Sequence, residues 1–192
     1  MKVIEAIERR REITRFRPDP LPEELLNTLL HALHLAPTGN NAVSREFVVV
    51  RSRTCLDALS QTTPYMAWLR EAALGVVIVA DPQISKYWLQ DATLAGGFLW
   101  LAAVEQKLGM AWGAVYHSEE AAESVRREDY VRHQLAIPSG KRVVAILGIG
   151  YPSVQPPPKQ LHPKDAVLHF ETYHGRSENN ELLDWKDSQN EK

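Results

Sequence analysis

The run Leu74–Ala80 constrains the fold of this chain more than any other feature. It is apolar at nearly every position, which is typical of a central strand that is covered on both faces. Arg142–Ile149 predicts a second core strand, and the β-branched run Phe47–Val50 predicts a third. The sequence therefore predicts a sheet that is buried inside the protein.

Two longer segments have helical periodicity. Pro22–Leu35 repeats leucines at one-turn spacing, and a segment from about 87 to 108 is apolar nearly all round. Within the second segment, Ala95, Gly96 and Gly97 present a small surface that another backbone could approach closely. The sequence thus predicts a central helix, placed at a subunit interface.

Shorter elements are predicted around these. They are a helix containing Ile4 and Ile7, a helix over Thr54–Ser60, a weaker helix or loop over Tyr65–Glu71, and an extended or loop segment over Gly109–Tyr116. Ser118 can cap a further helix, with Glu119 and Glu120 first and Arg126 and Arg127 last. Those charges match the dipole of that helix.

The C-terminal part is expected to leave the core. Pro156, Pro157 and Pro158 force an extended path, and residues 166–170 are apolar again. An extended arm that packs away from its own core is typical of contact with a partner subunit. We expect one domain over residues 1–174, followed by a polar tail over residues 175–192.

Composition places the chain among globular proteins, with 44% hydrophobic and 24% charged residues in 192. A lone cysteine, Cys55, and an N-terminus without a continuous apolar stretch favour the cytoplasm. The longest uncharged stretch, Ala92–Val104, is shorter than the roughly 20 residues that a bilayer span needs. We therefore expect no membrane association.

The most uneven charge feature is an N-terminal cluster made of Arg9, Arg10, Arg11, Arg15 and Arg17. Such a run can be a solvated helix face or a site for an anion. Arginine suits a phosphate because its fork places two N–H donors against two oxygens. Nucleic-acid binding is disfavoured, because the net charge is −2 and the cluster has one nearby aromatic residue.

The sequence gives little support for a metal site, a protein nucleophile or a nucleotide-binding loop. His31 and His34 lie one turn apart, but no further ligand completes a metal set, and Cys55 lacks the context of a nucleophile. Gly148-Ile149-Gly150 does not continue as a dinucleotide loop, and Gly140-Lys141 lacks the upstream glycine of a P-loop. A chain without a visible protein nucleophile, base or metal set points to an organic cofactor.

The N-terminal basic cluster lies in a segment that resembles part of a known protein family. The opening from Arg9 to Pro20 resembles the arginine-arginine-serine opening of nitroreductases, a segment that grips the phosphate and ribityl chain of FMN. The matching positions here are Arg10, Arg11, Glu12 and Thr14, with Glu12 in place of the usual serine. Because a carboxylate repels a phosphate, Glu12 is expected to offer its backbone N–H or to turn away.

Two further segments are similar to the same family. Ala36-Pro37-Thr38-Gly39-Asn40-Asn41 resembles its Ala-Pro-Ser-x-x-Asn loop, which implies flavin contacts by Thr38 and Asn41. The family commonly continues with Gln-Pro-Trp, where this chain has Val43-Ser44-Arg45. The segment around Trp112, Gly113 and Ala114 resembles the one whose backbone passes the flavin ring. A core tryptophan in a strand is the competing interpretation of Trp112.

The resemblance implies an α+β fold, with a central, largely antiparallel sheet wrapped by helices, in a homodimer that exchanges its C-terminal arm and binds FMN at the interface. It implies a ping-pong reaction in which NADH or NADPH gives a hydride to flavin N5 and a quinone or nitroaromatic takes the electrons. No side chain is expected to act as acid or base, and no metal is expected. Reductive dehalogenation, flavin fragmentation, and flavin binding without turnover are the competing hypotheses.

Overall fold

In the computed structural model, which describes residues 1–117 and 119–173, the predicted sheet is present and antiparallel throughout. Its strands are β1 (Arg45–Val50), β2 (Leu74–Ala80), β3 (Gly109–Ala114) and β4 (Arg142–Gly150), in the order β1-β2-β4-β3. The two apolar runs form the central strands, β2 and β4, and both are buried along almost their whole length. β1 and β3 are the edge strands.

Helices cover both faces of this sheet. They are α1 (Val3–Arg9), α2 (Glu23–Leu35), α3 (Arg53–Leu59), α4 (Trp88–Glu105) and α5 (Ala121–Leu135), with a 3₁₀ segment over Pro64–Arg70. Side chains alternate across a strand, so Val76 and Ile78 of β2 pack with α2 and α4. Val77 and Val79 face the other way, towards α3, the 3₁₀ segment and α5. The α+β prediction is confirmed.

The prediction for the fifth helix is wrong in its charge placement. α5 begins at Ala121 with Glu120 at the N-cap, and Ser118 lies outside the described residues. Arg126 and Arg127 lie in the middle of the helix rather than in its last turn. α5 continues to Leu135 because Val131 is buried against the sheet, and it ends where Ala136 adopts a left-handed conformation (φ 53°).

The small residues of α4 do not form one surface. A Cβ atom at Gly96 would lie 2.3 Å from the ring of Trp112, so this glycine makes room for a side chain of β3. A Cβ atom at Gly97 would meet nothing within 4 Å. The expected close approach of another backbone therefore has room at Gly97, whereas Gly96 is occupied within the chain.

The chain divides into two compact units, Met1–Pro156 and Pro157–Lys192. The first unit contains the sheet and the five α-helices. In the second unit, residues 157–173 are described, with a 3₁₀ turn at Lys164–Ala166 and exposed Leu161, Val167, Leu168 and Phe170 side chains. The expected boundary at residue 174 and the tail over residues 175–192 lie outside the described residues. Among the helices of the described residues, none is long and apolar enough to cross a membrane.

Candidate functional site

The segment that follows α1 lies along the free edge of β3. The Ile13 backbone N–H donates to the Met110 carbonyl at 3.0 Å, and Glu12 forms a parallel bridge with Met110. A Cβ atom at Gly109 would lie 2.7 Å from the Ile13 side chain, so this glycine allows the close approach. The basic segment is thereby fixed beside the strand that carries Trp112.

Arg10 and Arg11 differ in how their guanidinium groups are used. The Arg10 guanidinium carbon lies 4.6 Å from the centre of the Trp100 ring on α4. Within residues 1–117 and 119–173, no hydrogen bond or ion pair involves the Arg10 guanidinium, so its donors are available to an anion. Arg11 Nη1 instead donates to the Glu8 and Arg10 carbonyls, each at 2.8 Å.

The rest of the basic cluster is partly neutralised by surface ion pairs. Arg15 Nε lies 3.4 Å from Glu71 Oε2, and Arg17 Nε lies 3.1 Å from Asp19 Oδ2. The two interpretations of the cluster therefore apply to different residues. Arg15 and Arg17 are paired surface charges, whereas Arg10 has, among the described residues, the free donors that an anion site requires.

Glu12 turns its carboxylate towards β3. Its Oε1 accepts a hydrogen bond from the Trp112 backbone N–H at 3.4 Å. Thr14, the last of the four positions expected at this end, is exposed. The Glu12 carboxylate thus has a backbone donor of its own on β3.

The three β3 residues expected near a flavin ring point in different directions. The Trp112 ring stacks on Trp100 with centroids 6.4 Å apart and an interplanar angle of 16°. Gly113 faces the opposite side of the sheet, where a Cβ atom would lie 2.6 Å from Met66. Ala114 is exposed. The Trp112 ring therefore packs β3 on α4.

The backbone of β3 is better placed than its side chains to meet a ligand. In an antiparallel pair, the N–H and C=O groups of alternate residues point to the same edge. Because the Trp112 N–H and the Met110 carbonyl point away from β4, the Ala114 N–H points to that free edge as well. This edge and the Arg10 side chain together form the candidate site.

The polar loop after α2 is anchored elsewhere on α4. Asp91, which is 5% exposed, accepts hydrogen bonds from the Gly39 N–H at 2.9 Å and from the Ser44 hydroxyl at 2.6 Å. Thr38 Oγ1 donates to the Ala42 carbonyl at 2.7 Å, and Asn41 is exposed with a left-handed backbone (φ 54°). Asparagine tolerates that conformation better than most residues.

The polar loop after α2 and the basic segment after α1 contact different parts of α4 within one chain. Asp91 and Trp100, which anchor them, are nine residues apart on α4. At 1.5 Å per residue, this separation is about 14 Å along the helix axis. The structure thus brings Arg10, Arg11, Glu12 and the β3 backbone together, and it places Thr38 and Asn41 nearer the other end of α4.

A cleft of about 550 Å³ opens beside this loop. Thr38, Asn41 and Arg45 line it together with apolar side chains of α2 and β1. The Arg45 guanidinium donates to the Ala36 carbonyl, while its Nε is buried without a hydrogen-bond partner in the described part of the chain. Burial lowers the pKa of Arg45, and the charge of Asp91 partly opposes that effect.

Sequence reasoning missed three residues that shape this region, Trp100, Asp91 and Arg45. Asp91 marked only the end of an apolar stretch, although a lone carboxylate in an apolar helix is itself a signal of a buried polar contact. Trp100 carried no signal, because a tryptophan in an apolar helix is typical of a core. No group of three or more His, Cys, Asp or Glu side chains gathers in the described residues as a metal site would require.

Comparison with known proteins gives consistent matches over most of the chain. The model of the nitroreductase family matches residues 7–62 and 51–151. A relative from Methanothermobacter thermautotrophicus, named provisionally as an NADH dehydrogenase/NAD(P)H nitroreductase, is 30% identical over 176 residues, covering 90% of this chain and 88% of the relative.

Solved structures agree with this match. An FMN-dependent nitroreductase from Clostridium difficile R20291 is 28% identical with a TM-score of 0.76, and the match covers 91% of this chain and 99% of that one. A structure from Bacteroides thetaiotaomicron VPI-5482, named provisionally as an NADH dehydrogenase/NAD(P)H nitroreductase, is 27% identical with a TM-score of 0.81, covering 89% and 98% of the two chains.

Proposed function

Because the chain belongs to the nitroreductase family, we propose that it is an FMN-dependent oxidoreductase that uses NAD(P)H. When bound, FMN supplies the capacity to take a hydride from NADH or NADPH at N5 and to pass it to a quinone, a nitroaromatic or a similar small oxidant. The protein's part is to bind the cofactor, to orient it and to leave one face open to both substrates in turn, as a ping-pong reaction requires.

One observation carries this proposal: in the described part of the chain, the Arg10 guanidinium has no hydrogen-bond or ion-pair partner, and it lies over the Trp100 ring, which stacks on Trp112 of β3. A phosphate monoester carries close to two negative charges and pairs strongly with such a group. Arg10 would hold the phosphate directly. Arg11, whose Nη1 is bound to two carbonyls, would add its charge, and Glu12 keeps its carboxylate on the Trp112 N–H. The donor set therefore fits the phosphate end of FMN.

The ring end would be served by backbone groups and by a second copy of the chain. The Ala114 N–H on the free edge of β3 would face the cofactor, where a fixed donor stabilises added negative charge. The loop that carries Thr38 and Asn41 is bound to Asp91, which lies about 14 Å along α4 from Trp100, the residue under Arg10. We therefore assign the contacts of Thr38 and Asn41 to the cofactor of the partner subunit, in a homodimer with two sites at the interface.

Exposed apolar side chains support the homodimer. Ile4 and Ile7 of α1 are 57% and 48% exposed, and Leu94 and Phe98 of α4 are 44% and 39% exposed. Apolar residues at one-turn spacing on a helix face are typical of an interface. The exposed apolar side chains of residues 157–173 support exchange of that arm between the subunits.

The test is to titrate the purified protein with FMN, reduce the complex with NADH or NADPH, and reoxidise it with a panel of quinones and nitroaromatics. The proposal expects a yellow complex that bleaches with a pyridine nucleotide and regains its colour with an oxidant. A complex that stays yellow with both nucleotides would contradict the reductase and favour flavin binding without turnover. Slow reoxidation by all these compounds would favour reductive dehalogenation if a halogenated substrate is turned over, and flavin fragmentation if the flavin itself is consumed.

A further inference from the structure

Trp100 contacts three residues of the candidate site at once. Its ring lies under the Arg10 guanidinium at 4.6 Å, and its indole N–H donates to the Arg11 carbonyl at 3.4 Å. The Trp100 ring also stacks on Trp112 of β3, with the ring centroids 6.4 Å apart. Trp100 itself is half-buried on α4, a helix whose buried residues belong to the core. One side chain therefore links the basic segment, α4 and β3.

The Trp100 ring favours one position of the Arg10 guanidinium. The negative face of an indole ring attracts a guanidinium, and this attraction is larger where the pair is shielded from water. Stacking uses the flat face of the guanidinium, while its N–H donors lie in its plane. Arg10 can thus remain on the ring and still present a fork of donors to two oxygens. An arginine without this support would lose rotamer freedom on binding an anion, which weakens the binding.

We propose that Trp100 is a positioning residue for the phosphate of the cofactor, which it serves by holding the Arg10 guanidinium in place. This inference rests on the proposed function, because it takes FMN as the cofactor. It assigns to α4 a part in phosphate recognition that the sequence motif of the basic segment does not contain.

The same helix provides a matched control. Trp88 is also a half-buried tryptophan of α4 with an arginine over its ring, since the Arg142 guanidinium lies 5.4 Å from it. Arg142, however, is bound to the Glu128 carboxylate at 2.6 and 2.8 Å and is not available to a phosphate. Loss of Trp88 removes a similar ring from the same helix without affecting Arg10.

The experiment compares FMN with riboflavin, which lacks only the phosphate, in fluorescence titrations of the wild type and of the Trp100→Leu, Trp100→Phe and Trp88→Leu variants. We expect Trp100→Leu to weaken FMN binding about 3- to 30-fold, the range of a cation–π contact, and to leave riboflavin binding unchanged. Trp100→Phe, which keeps an aromatic face, should retain most of the preference for FMN. Trp88→Leu should not change the ratio of the two dissociation constants.

A double-mutant cycle provides a second test that does not need riboflavin. In the Arg10→Ala background, Trp100→Leu should weaken FMN binding no further, because the residue through which it acts is gone. If Trp100→Leu does not fold, as judged by circular dichroism, Trp100→Met replaces it with the same expectation.

Equal weakening of FMN and riboflavin binding, or additive effects of Trp100→Leu and Arg10→Ala, would overturn the inference, since either would give Trp100 a role that is merely structural. An unchanged FMN affinity in Trp100→Leu would overturn it as well. Failure of the wild type to bind FMN at all would instead refute the proposed function, so the two failures are distinguishable.

Discussion

The carboxylate of Glu128 and the guanidinium of Arg142 join α5 to β4 through two hydrogen bonds of 2.6 and 2.8 Å. Glu128 is 1% exposed and accepts further hydrogen bonds from the Val143 N–H, the Ser124 hydroxyl and Arg132. On its other side, the Arg142 guanidinium lies over the rings of Trp88 and Tyr116. A buried charge of this kind is tolerated because every one of its acceptor positions is used.

We expect Glu128→Gln to lower the free energy of unfolding by about 3 kcal/mol, because breaking a buried pair leaves Arg142 without its counter-charge. Urea denaturation followed by circular dichroism measures the change. The neighbouring Asp129→Asn provides the control, since Asp129 pairs with Arg132 at the surface and is 64% exposed. That exposed pair should contribute less than about 1 kcal/mol. Equal losses in the two variants would contradict a special role of the buried carboxylate.

The same carboxylate predicts a pH dependence of stability. Burial raises the pKa of Glu128, but the hydrogen bonds from Arg142, Val143 and Ser124 outweigh burial, so its pKa lies below the ordinary value. A pKa that is lower in the folded state contributes stability above the unfolded pKa of about 4.3, and this contribution is lost as the pH falls through the folded pKa. Urea denaturation between pH 7 and pH 3 should show a smaller loss of stability on acidification in Glu128→Gln than in the wild type. Parallel curves would contradict this.

Gly96 and Gly97 are neighbouring glycines of α4 that differ in the room available for a side chain. Alanine at either position gains the same helix propensity, so the difference between Gly96→Ala and Gly97→Ala isolates the clash with Trp112. We expect Gly96→Ala to be less stable than Gly97→Ala by about 2 kcal/mol, the usual cost of overpacking a core. Thermal unfolding of the two variants without flavin measures this difference in stability. Indistinguishable midpoints would mean that Trp112 moves away without cost.

The fold was predictable from sequence where burial alone determines the structure. Leu74–Ala80 and Arg142–Gly150 are central strands because an apolar run of that length needs cover on both faces. α5 shows the limit of this reasoning. Its charges suggested an end near Arg127, whereas the burial of Val131, set by tertiary packing, carries the helix to Leu135. Local charge patterns contribute less to helix length than a buried contact does.

The candidate site was predictable in part. Arg10 could be named as a candidate phosphate ligand because a resemblance and the chemistry of phosphate agreed on it. The different contacts of the Arg10 and Arg11 guanidinium groups could not be predicted, because they depend on which carbonyls and which ring lie nearby. The contacts of Trp100 with the basic segment join residues about 90 positions apart, and periodicity within one helix does not report such contacts.

Glu12 provides a test of electrostatics at the phosphate end. Removal of its charge in Glu12→Gln should tighten FMN binding by about 1 kcal/mol, roughly fivefold, because a like charge near the phosphate is lost. Glu8→Gln is the control, since Glu8 is an exposed carboxylate on the preceding helix, α1. In titrations at low and high salt, the gain in FMN affinity should become smaller as the salt screens the charges. Because the amide oxygen of glutamine can still accept from the Trp112 N–H, weaker FMN binding by Glu12→Gln would instead mean that the negative charge of Glu12 helps to shape the site.

Phe98 tests whether the site requires two chains. It is 39% exposed on the same helix as Leu94, so a glutamate at this position should fold normally and place a charge in the proposed interface. We expect Phe98→Glu to sediment as a single chain and to lose most of its FMN affinity, because Thr38 and Asn41 would no longer reach a cofactor held by the other subunit. Val125→Glu, on the exposed side of α5, should change neither property. A single-chain Phe98→Glu with unchanged FMN affinity would show that one subunit forms the whole site, which would contradict the assignment of Thr38 and Asn41 to the partner's cofactor.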